Sequence, residues 1–158
     1  MAVNFKLQAN ADIVSKNISK YRTKLEQAIQ KGLLQAGFQL VTVMKELTKK
    51  GLDVYRNPFA PYSEGYLKHL QRKGRPTSVD LHYDGDMLRA LTPDVRTVKP
   101  TGKNRVTVSF SNAEERKKAL FNQVLNQPTR KFFGFDKRTE SIIGKSFNQF
   151  ISKELRVL

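Results

Sequence analysis

Four potential metal ligands stand at alternate positions near the middle of the chain: Asp80, His82, Asp84 and Asp86. On an extended strand, side chains two apart share a face. All four would then converge on one side, as a hard cation asks of its ligands. A metal-dependent nuclease could be built on Asp80, Asp84 and Asp86. Each residue also has a simpler local role, because Asp84-Gly85 is a turn signal and Asp86 is placed to cap a short helical turn. No pattern ties a distant Glu or His to the group. His69 stands among Lys68, Arg72 and Lys73, the company of a surface residue and not of a general base. There is no Gly-rich phosphate loop, nucleophile elbow or zinc spacing. The sequence therefore assigns no catalytic residue, no cofactor and no metal, and the expectation is a protein that is not an enzyme.

A second cluster suits contact better than catalysis. Residues 130–136 read Arg-Lys-Phe-Phe-Gly-Phe-Asp, after a helix-like run over 119–124 and the breaker Asn126-Gln127-Pro128. Neighbouring side chains on an extended segment alternate sides. Phe132, Phe133 and Phe135 cannot all enter one small core, so part of that aromatic surface is expected to meet something outside its own domain. One or two of the rings would anchor the loop to the sheet. A related question attaches to Tyr55, Phe59, Tyr62 and Tyr66. Aromatics among cations stack on bases, although a loop pinned to its domain by aromatic anchors is the simpler reading.

These residues need a frame, and the chain supplies the pattern for one. The first element is Val3-Asn4-Phe5-Lys6-Leu7, which alternates as a half-buried strand does. Asn10 or Asp12 then caps a helix whose apolar positions run Val14, Ile18, Tyr21, Leu25, Ile29, Leu33, Ala36, Leu40, Val43 and Leu47. Lys49-Lys50-Gly51 ends it, two cations suiting the helix C-terminus and Gly the stop. Such a helix is roughly 57 Å long, against a diameter of about 39 Å for a compact chain of this size. Either it breaks near Gly32 or Gly37, or its end projects towards neighbouring subunits. A Gly inside a helix costs on the order of 1 kcal/mol, so the pair suggests a bend or a close crossing.

Downstream, Ser63 caps a short helix over 64–72 with Tyr66, Leu67 and Leu70 on its apolar side. Asp86 opens a turn carrying Met87, Leu88 and Leu91. Residues 95–98 and 105–110 alternate around Pro100-Thr101-Gly102-Lys103-Asn104 and predict an antiparallel hairpin. Ser111-Asn112 caps a helix with Glu114-Glu115 in its first turn, continuing through Ala119, Leu120 and Val124. A last amphipathic helix spans 141–155 through Ile142, Ile143, Phe147, Phe150 and Ile151. The expected fold is α+β: a long N-terminal helix packed on a small antiparallel sheet, with shorter C-terminal helices, in a single domain over 1–158.

Composition limits the partners. The 158 residues carry a net charge of +15, more than solubility requires. The excess is spread, with clusters at Arg72-Lys73, Arg116-Lys117-Lys118, Arg130-Lys131 and Lys137-Arg138. Such a field attracts nucleic acid, acidic protein or anionic lipid alike. No stretch is apolar enough to span a membrane, and the N-terminus lacks signal-peptide character. With no Cys there are no disulfides, which fits synthesis in the cytoplasm.

The order of these features resembles the phage virion morphogenesis proteins, the tail-completion or neck components of Mu-like and P2-like tailed phages. The long N-terminal helix comes first. Asn57-Pro58-Phe59-Ala60-Pro61-Tyr62-Ser63 is similar to the family's N-P-aromatic-x-P-x-S stretch before a basic helix. Asp84-Gly85-Asp86-Met87-Leu88-Arg89-Ala90-Leu91 resembles its T/S-G-x-L-x-x-S turn, with Asp84 for the hydroxyl residue and a longer gap to Leu88. Ala119-Leu120-Phe121-Asn122-Gln123 with Arg130-Lys131-Phe132-Phe133-Gly134-Phe135 looks like its A-x-x-h-x-x-G … R-x-F-h-G end, except that no Gly precedes the Pro. The likeness covers most of residues 10–136.

What the resemblance implies is a structural virion protein of the neck or tail end. It would act in head–tail joining or tail completion, by assembling as a homo-oligomeric ring, sixfold, and docking on other neck and tail proteins. Its subunit contacts would lie at Gly85, Leu88, Arg130, Phe132, Phe133, Gly134 and Phe135. The positive charge would face acidic neighbouring rings or make non-specific contact with DNA in the channel. The alternative is a basic nucleic-acid-binding protein that uses its cationic clusters and tyrosines.

Overall fold

The computed structural model describes residues 11–81 and 85–156, so the expected strand at residues 3–7 lies outside the described residues. The fold is α+β, as the sequence predicts. A single helix, α1 (Ala11–Lys49), forms the spine. It is followed by α2 (Glu64–Arg72), α3 (Asp86–Arg89), the strands β1 (Val98–Gly102) and β2 (Arg105–Val108), α4 (Ala113–Leu120) and α5 (Lys137–Arg156).

Helix α1 runs 39 residues without a break, about 58 Å at 1.5 Å per residue. Its glycines mark close crossings. A Cβ at Gly32 would meet the Phe147 ring at 2.9 Å and Ile151 at 3.2 Å, both from α5. A Cβ at Gly37 would come within 2.4 Å of Val98 at the base of the hairpin. At the far end, Gly51 takes a positive φ of 72°, and the N–H of Leu52 turns back to the Leu47 carbonyl at 2.9 Å. This is the expected glycine stop. At the other end the helix already includes Ala11, so Asp12 lies inside it, and Asn10, the other expected cap, lies outside the described residues.

The hairpin lies along α1. Val98 faces Val108, Lys99 faces Thr107 and Pro100 faces Val106, in antiparallel register with an irregularity before Gly102. Gln30 of α1 reaches its tip, donating to the Gly102 and Lys103 carbonyls, and Lys103 pairs with Glu26 at 2.7 Å. The first strand begins later than its β-branched residues suggest. The Asp94 carboxylate accepts from the Arg96 N–H at 2.8 Å, from the Arg96 guanidinium and from the Thr92 hydroxyl, and the Thr97 N–H bonds the Asp94 carbonyl. That turn absorbs residues 95–97, so Val95 is exposed and the strand starts at Val98.

Two further boundaries move. Helix α5 starts at Lys137, four residues ahead of the expected Ser141, because Asp136 serves as its cap and accepts from the Thr139 N–H at 2.8 Å. Helix α3 is capped by Gly85 at φ 78°, with Asp86 as its first residue instead of its cap. Ser63 and Asn112 do cap α2 and α4, accepting from the N–H groups of Tyr66 and Glu114. Of the expected apolar side of α2, only Leu70 is buried.

The core gathers Val41 and Met44 of α1 with Phe59, Met87, Leu88, Leu91, Val98, Ala119 and Phe132. It sits against the C-terminal half of α1. Gly134 lies by Met44, while Phe147 and Ile151 lie by Gly32, so α5 runs antiparallel to the spine. No helix among the described residues is long and apolar enough to cross a membrane.

Candidate functional site

The loop over 130–136 is held from three directions. The first hold is Arg130, which is buried. Its Nε and Nη2 donate to the Ala60 carbonyl at 3.2 and 3.1 Å, and Nη2 also to the Pro61 carbonyl at 3.1 Å. Two prolines leave that segment short of N–H donors and its carbonyls turned outward, and a guanidinium fork suits adjacent acceptors. The same group lies 5.0 Å over the Tyr62 ring. Burial pushes the Tyr62 phenol above its ordinary range, so it stays a neutral platform for the cation.

The second hold is an amide that mimics a strand partner. Gln123 donates through Nε2 to the Phe133 carbonyl at 2.6 Å and accepts the Phe133 N–H on Oε1 at 2.8 Å. The third hold comes from the loop after α1, where the Val54 N–H donates to the Lys131 carbonyl at 2.8 Å. Arg56, at a positive φ of 68°, pairs with Asp136 and donates to the Thr139 hydroxyl at 3.1 Å. Partial burial works against the Asp136 charge. The Thr139 and Arg56 hydrogen bonds outweigh it and hold the carboxyl well below its usual range.

The three phenylalanines divide as an alternating segment must. Phe132 points into the core at 1 % exposure, 6.4 Å edge-on from Phe110. Phe133 is half-buried, 5.3 Å from the same ring. Phe135 is turned to solvent at 54 % exposure. Gly134 between them takes φ 146°. A Cβ there would meet Val54 at an ordinary 3.8 Å, so backbone conformation and not space calls for Gly.

The turn at Gly85 and the loop at Arg130 come together within the chain. Leu88 and Phe132 share the core cluster. Gly85 and Arg130 line one open cleft of about 880 Å³, with Tyr62, Tyr66, Glu115 and Phe121 around it. Glu115 is buried beside it, with Oε1 taking the Lys118 ammonium at 2.7 Å and Oε2 without a hydrogen-bond partner. Leu88, Arg130 and Phe132 therefore serve this chain's own packing, while Phe135 is open to contact from outside.

The proposed metal cluster loses its premise. Leu81 adopts φ 53° and Gly85 φ 78°, so the backbone departs from an extended strand at both of these residues. His82 and Asp84 lie outside the described residues, and among the described residues no three His, Cys, Asp or Glu side chains group as metal ligands. His69 stacks on Tyr66 with ring centroids 6.1 Å apart.

Comparison with models of known protein families, with curated proteins and with solved structures found no match. The chain's own surface remains the guide.

That surface holds several large apolar residues. Helix α4 passes into a π-helical turn over Phe121–Leu125. Ala119 faces the core, but Leu120, Phe121, Val124 and Leu125 are all exposed. The helical run does continue through Ala119, Leu120 and Val124, as the sequence predicts, and of these three only Ala119 is buried. At about 100° per residue Leu120 and Val124 stand roughly 100° and 140° round the helix from Ala119, away from the core. A signal was available in the sequence: positions 120, 121, 124 and 125 form a stripe of their own, offset from Ala119. On α1, all of residues 15–23 are exposed, Ile18 and Tyr21 among them.

Proposed function

We propose that this protein is a structural component of a tailed-phage virion, joining head to tail at the neck or completing the tail, and acting by ring assembly and docking. The observation that carries the reading is the apolar surface left outside. Ile18, Tyr21, Leu25, Leu120, Phe121, Val124, Leu125 and Phe135 are large, exposed and distributed over three separate elements. On α1 and on α4 they line up as stripes, and an exposed apolar stripe marks a contact surface. The overlong helix supports the same reading, since all of residues 15–23 are exposed. So do the ordered motifs that resemble the virion morphogenesis proteins, two of which meet at one cleft.

In this role the chain contacts copies of itself in a closed ring, sixfold, and then the neighbouring neck and tail proteins. A basic surface suits acidic neighbours and passing DNA. The loop at 130–136 contributes by fixing Phe135, and the edge of Phe133, in one outward geometry.

The test is the mass and negative-stain image of the purified protein at moderate salt. Closed rings are expected. A stable monomer that binds only DNA, with affinity falling steeply as salt rises, would overturn the proposal in favour of nucleic-acid binding. Phe133→Ala should weaken the ring and phage joining. If both are unchanged, the loop is no contact surface.

A further inference from the structure

The two exposed apolar stripes lie on helices and differ from one another. The first is on the projecting end of α1, where Ile18 and Leu25 stand seven residues apart with Tyr21 exposed between them. This is the a/d spacing by which one helix seats on another. The second is on the end of α4 and its π turn, where Leu120, Phe121, Val124 and Leu125 occupy one side. The two belong to opposite sides of the spine's reach. The α1 arm extends beyond the Lys103–Glu26 tie at the hairpin tip, whereas the π turn is bound through Gln123 to the loop near the other end.

We infer that the α1 arm of one copy seats on the π-turn stripe of the next, so that contact between unlike surfaces propagates head to tail. The inference rests on the ring reading above and names the surfaces that make the ring. Unlike patches on one chain give a heterologous contact, which closes into a ring when the rotation allows. Two arms packed on each other would instead stop at a dimer and leave the π turn uncovered.

Charge separates these alternatives. Residues 15–25 carry Lys16, Lys20, Arg22 and Lys24 and no acidic side chain. Arg22 is tied to Glu26 of its own helix, so arm against arm sets Lys16, Lys20 and Lys24 against their copies. The recipient element carries Glu114 and Glu115 beside Arg116, Lys117 and Lys118, close to neutral by comparison. Like charges facing across a contact are costly enough to exclude a pairing. The arm is best accommodated on α4.

The area is sufficient. Taking about 200 Å² for a large apolar side chain, the exposed fractions of the seven residues amount to roughly 750 Å². Specific interfaces are about 57 % apolar, so a contact built around this surface would bury roughly 1,300 Å² in total. That falls in the range of about 1,200–2,000 Å² typical of specific protein contacts.

The chain has no Cys, so single introduced thiols report one contact each. Ile18→Cys and Val124→Cys chains are purified separately, mixed at low concentration, concentrated to the oligomer and cross-linked with a short bismaleimide. The mixed sample should give a covalent dimer that neither chain gives alone. Ile18→Asp with Leu25→Asp should shift the oligomer to monomer mass while circular dichroism shows the chain still folded, Ile18 being 62 % and Leu25 38 % exposed. Oligomers that cross-link Ile18 to Ile18, or that survive the double Asp variant, overturn this inference and leave the ring reading standing. A wild-type chain that is monomeric at every concentration overturns both.

Discussion

Gly37 of α1 lies directly beneath Val98 of β1, so closely that a methyl group on Gly37 would come within 2.4 Å of the Val98 Cγ1. The hairpin is seated on the spine at this point, and the helix runs unbroken through it. In most helices Gly→Ala is favourable by about 1 kcal/mol. Here the clash is with a β-branched side chain that is fully buried and fixed at χ1. Gly37→Ala should therefore destabilise the fold by about 1–3 kcal/mol in urea unfolding, as overpacking does. Adding Val98→Ala should recover part of that loss. Gly144 on α5 is the control, with nothing within 4 Å of its Cβ position. Gly144→Ala should stabilise by about 0.5–1 kcal/mol.

The glycine pair also shows what was legible in the sequence. Periodicity and the Gly51 stop gave the length of α1, and arithmetic gave its excess over the body. Whether Gly32 and Gly37 meant a bend or a crossing depended on partners more than sixty residues away, Val98, Phe147 and Ile151, which no local pattern specifies. Strand and helix starts went wrong where one side chain reorganised the backbone: Asp94 drew residues 95–97 into a turn, and Asp136 opened α5 a turn early. Alternation in the aromatic loop did foretell that its rings would part. The outward stripe on α4 was legible as a set, since at 3.6 residues per turn Leu120 and Val124 lie about 100° and 140° round the helix from Ala119, off the face that packs on the core.

Arg130 makes a prediction about chemistry that charge alone does not satisfy. Its fork bridges the Ala60 and Pro61 carbonyls while its plane lies on Tyr62. Lys offers one donor point and no plane. Arg130→Lys should thus lose most of what Arg130→Ala loses, about 1.5–3 kcal/mol for hydrogen bonds to a charged group. Thermal unfolding of the two variants beside wild type measures it. Near-wild-type stability for Arg130→Lys would show that the cation matters and the fork does not.

The Arg56–Asp136 pair sets an acid limit. The Asp136 pKa is lower in the folded chain than its ordinary value. A carboxylate lowered in this way contributes stability above its unfolded pKa of about 3.9, and the contribution disappears as pH falls through the lower folded value. Asp136→Asn keeps the cap oxygen for Thr139 and removes the charge. It should be less stable than wild type at pH 7, and the gap should narrow below about pH 4. Unfolding midpoints at pH 7, 5, 4 and 3 follow it, and a gap that stays constant with pH would assign the effect to the cap alone.

The phenylalanines of the loop separate folding from assembly. Phe132 is buried among Val41, Met44, Leu88 and Leu91, so Phe132→Ala opens a cavity and should cost about 3–5 kcal/mol. Phe135 stands in solvent two residues beyond Phe133, and its removal should change stability by no more than about 0.5 kcal/mol. Its conformation is nevertheless fixed, because Gly134 holds φ 146° and Asp136 is pinned by Arg56. A rigid, exposed aromatic is well suited to anchor a contact, since little conformational freedom is lost when it is covered. Phe135→Ala should accordingly melt like wild type while lowering oligomer mass at a concentration where wild type is assembled. Paired melting curves and light scattering on the same samples decide it. An unchanged mass would leave Phe135 an ordinary surface residue and confine the assembly contacts to α1 and α4.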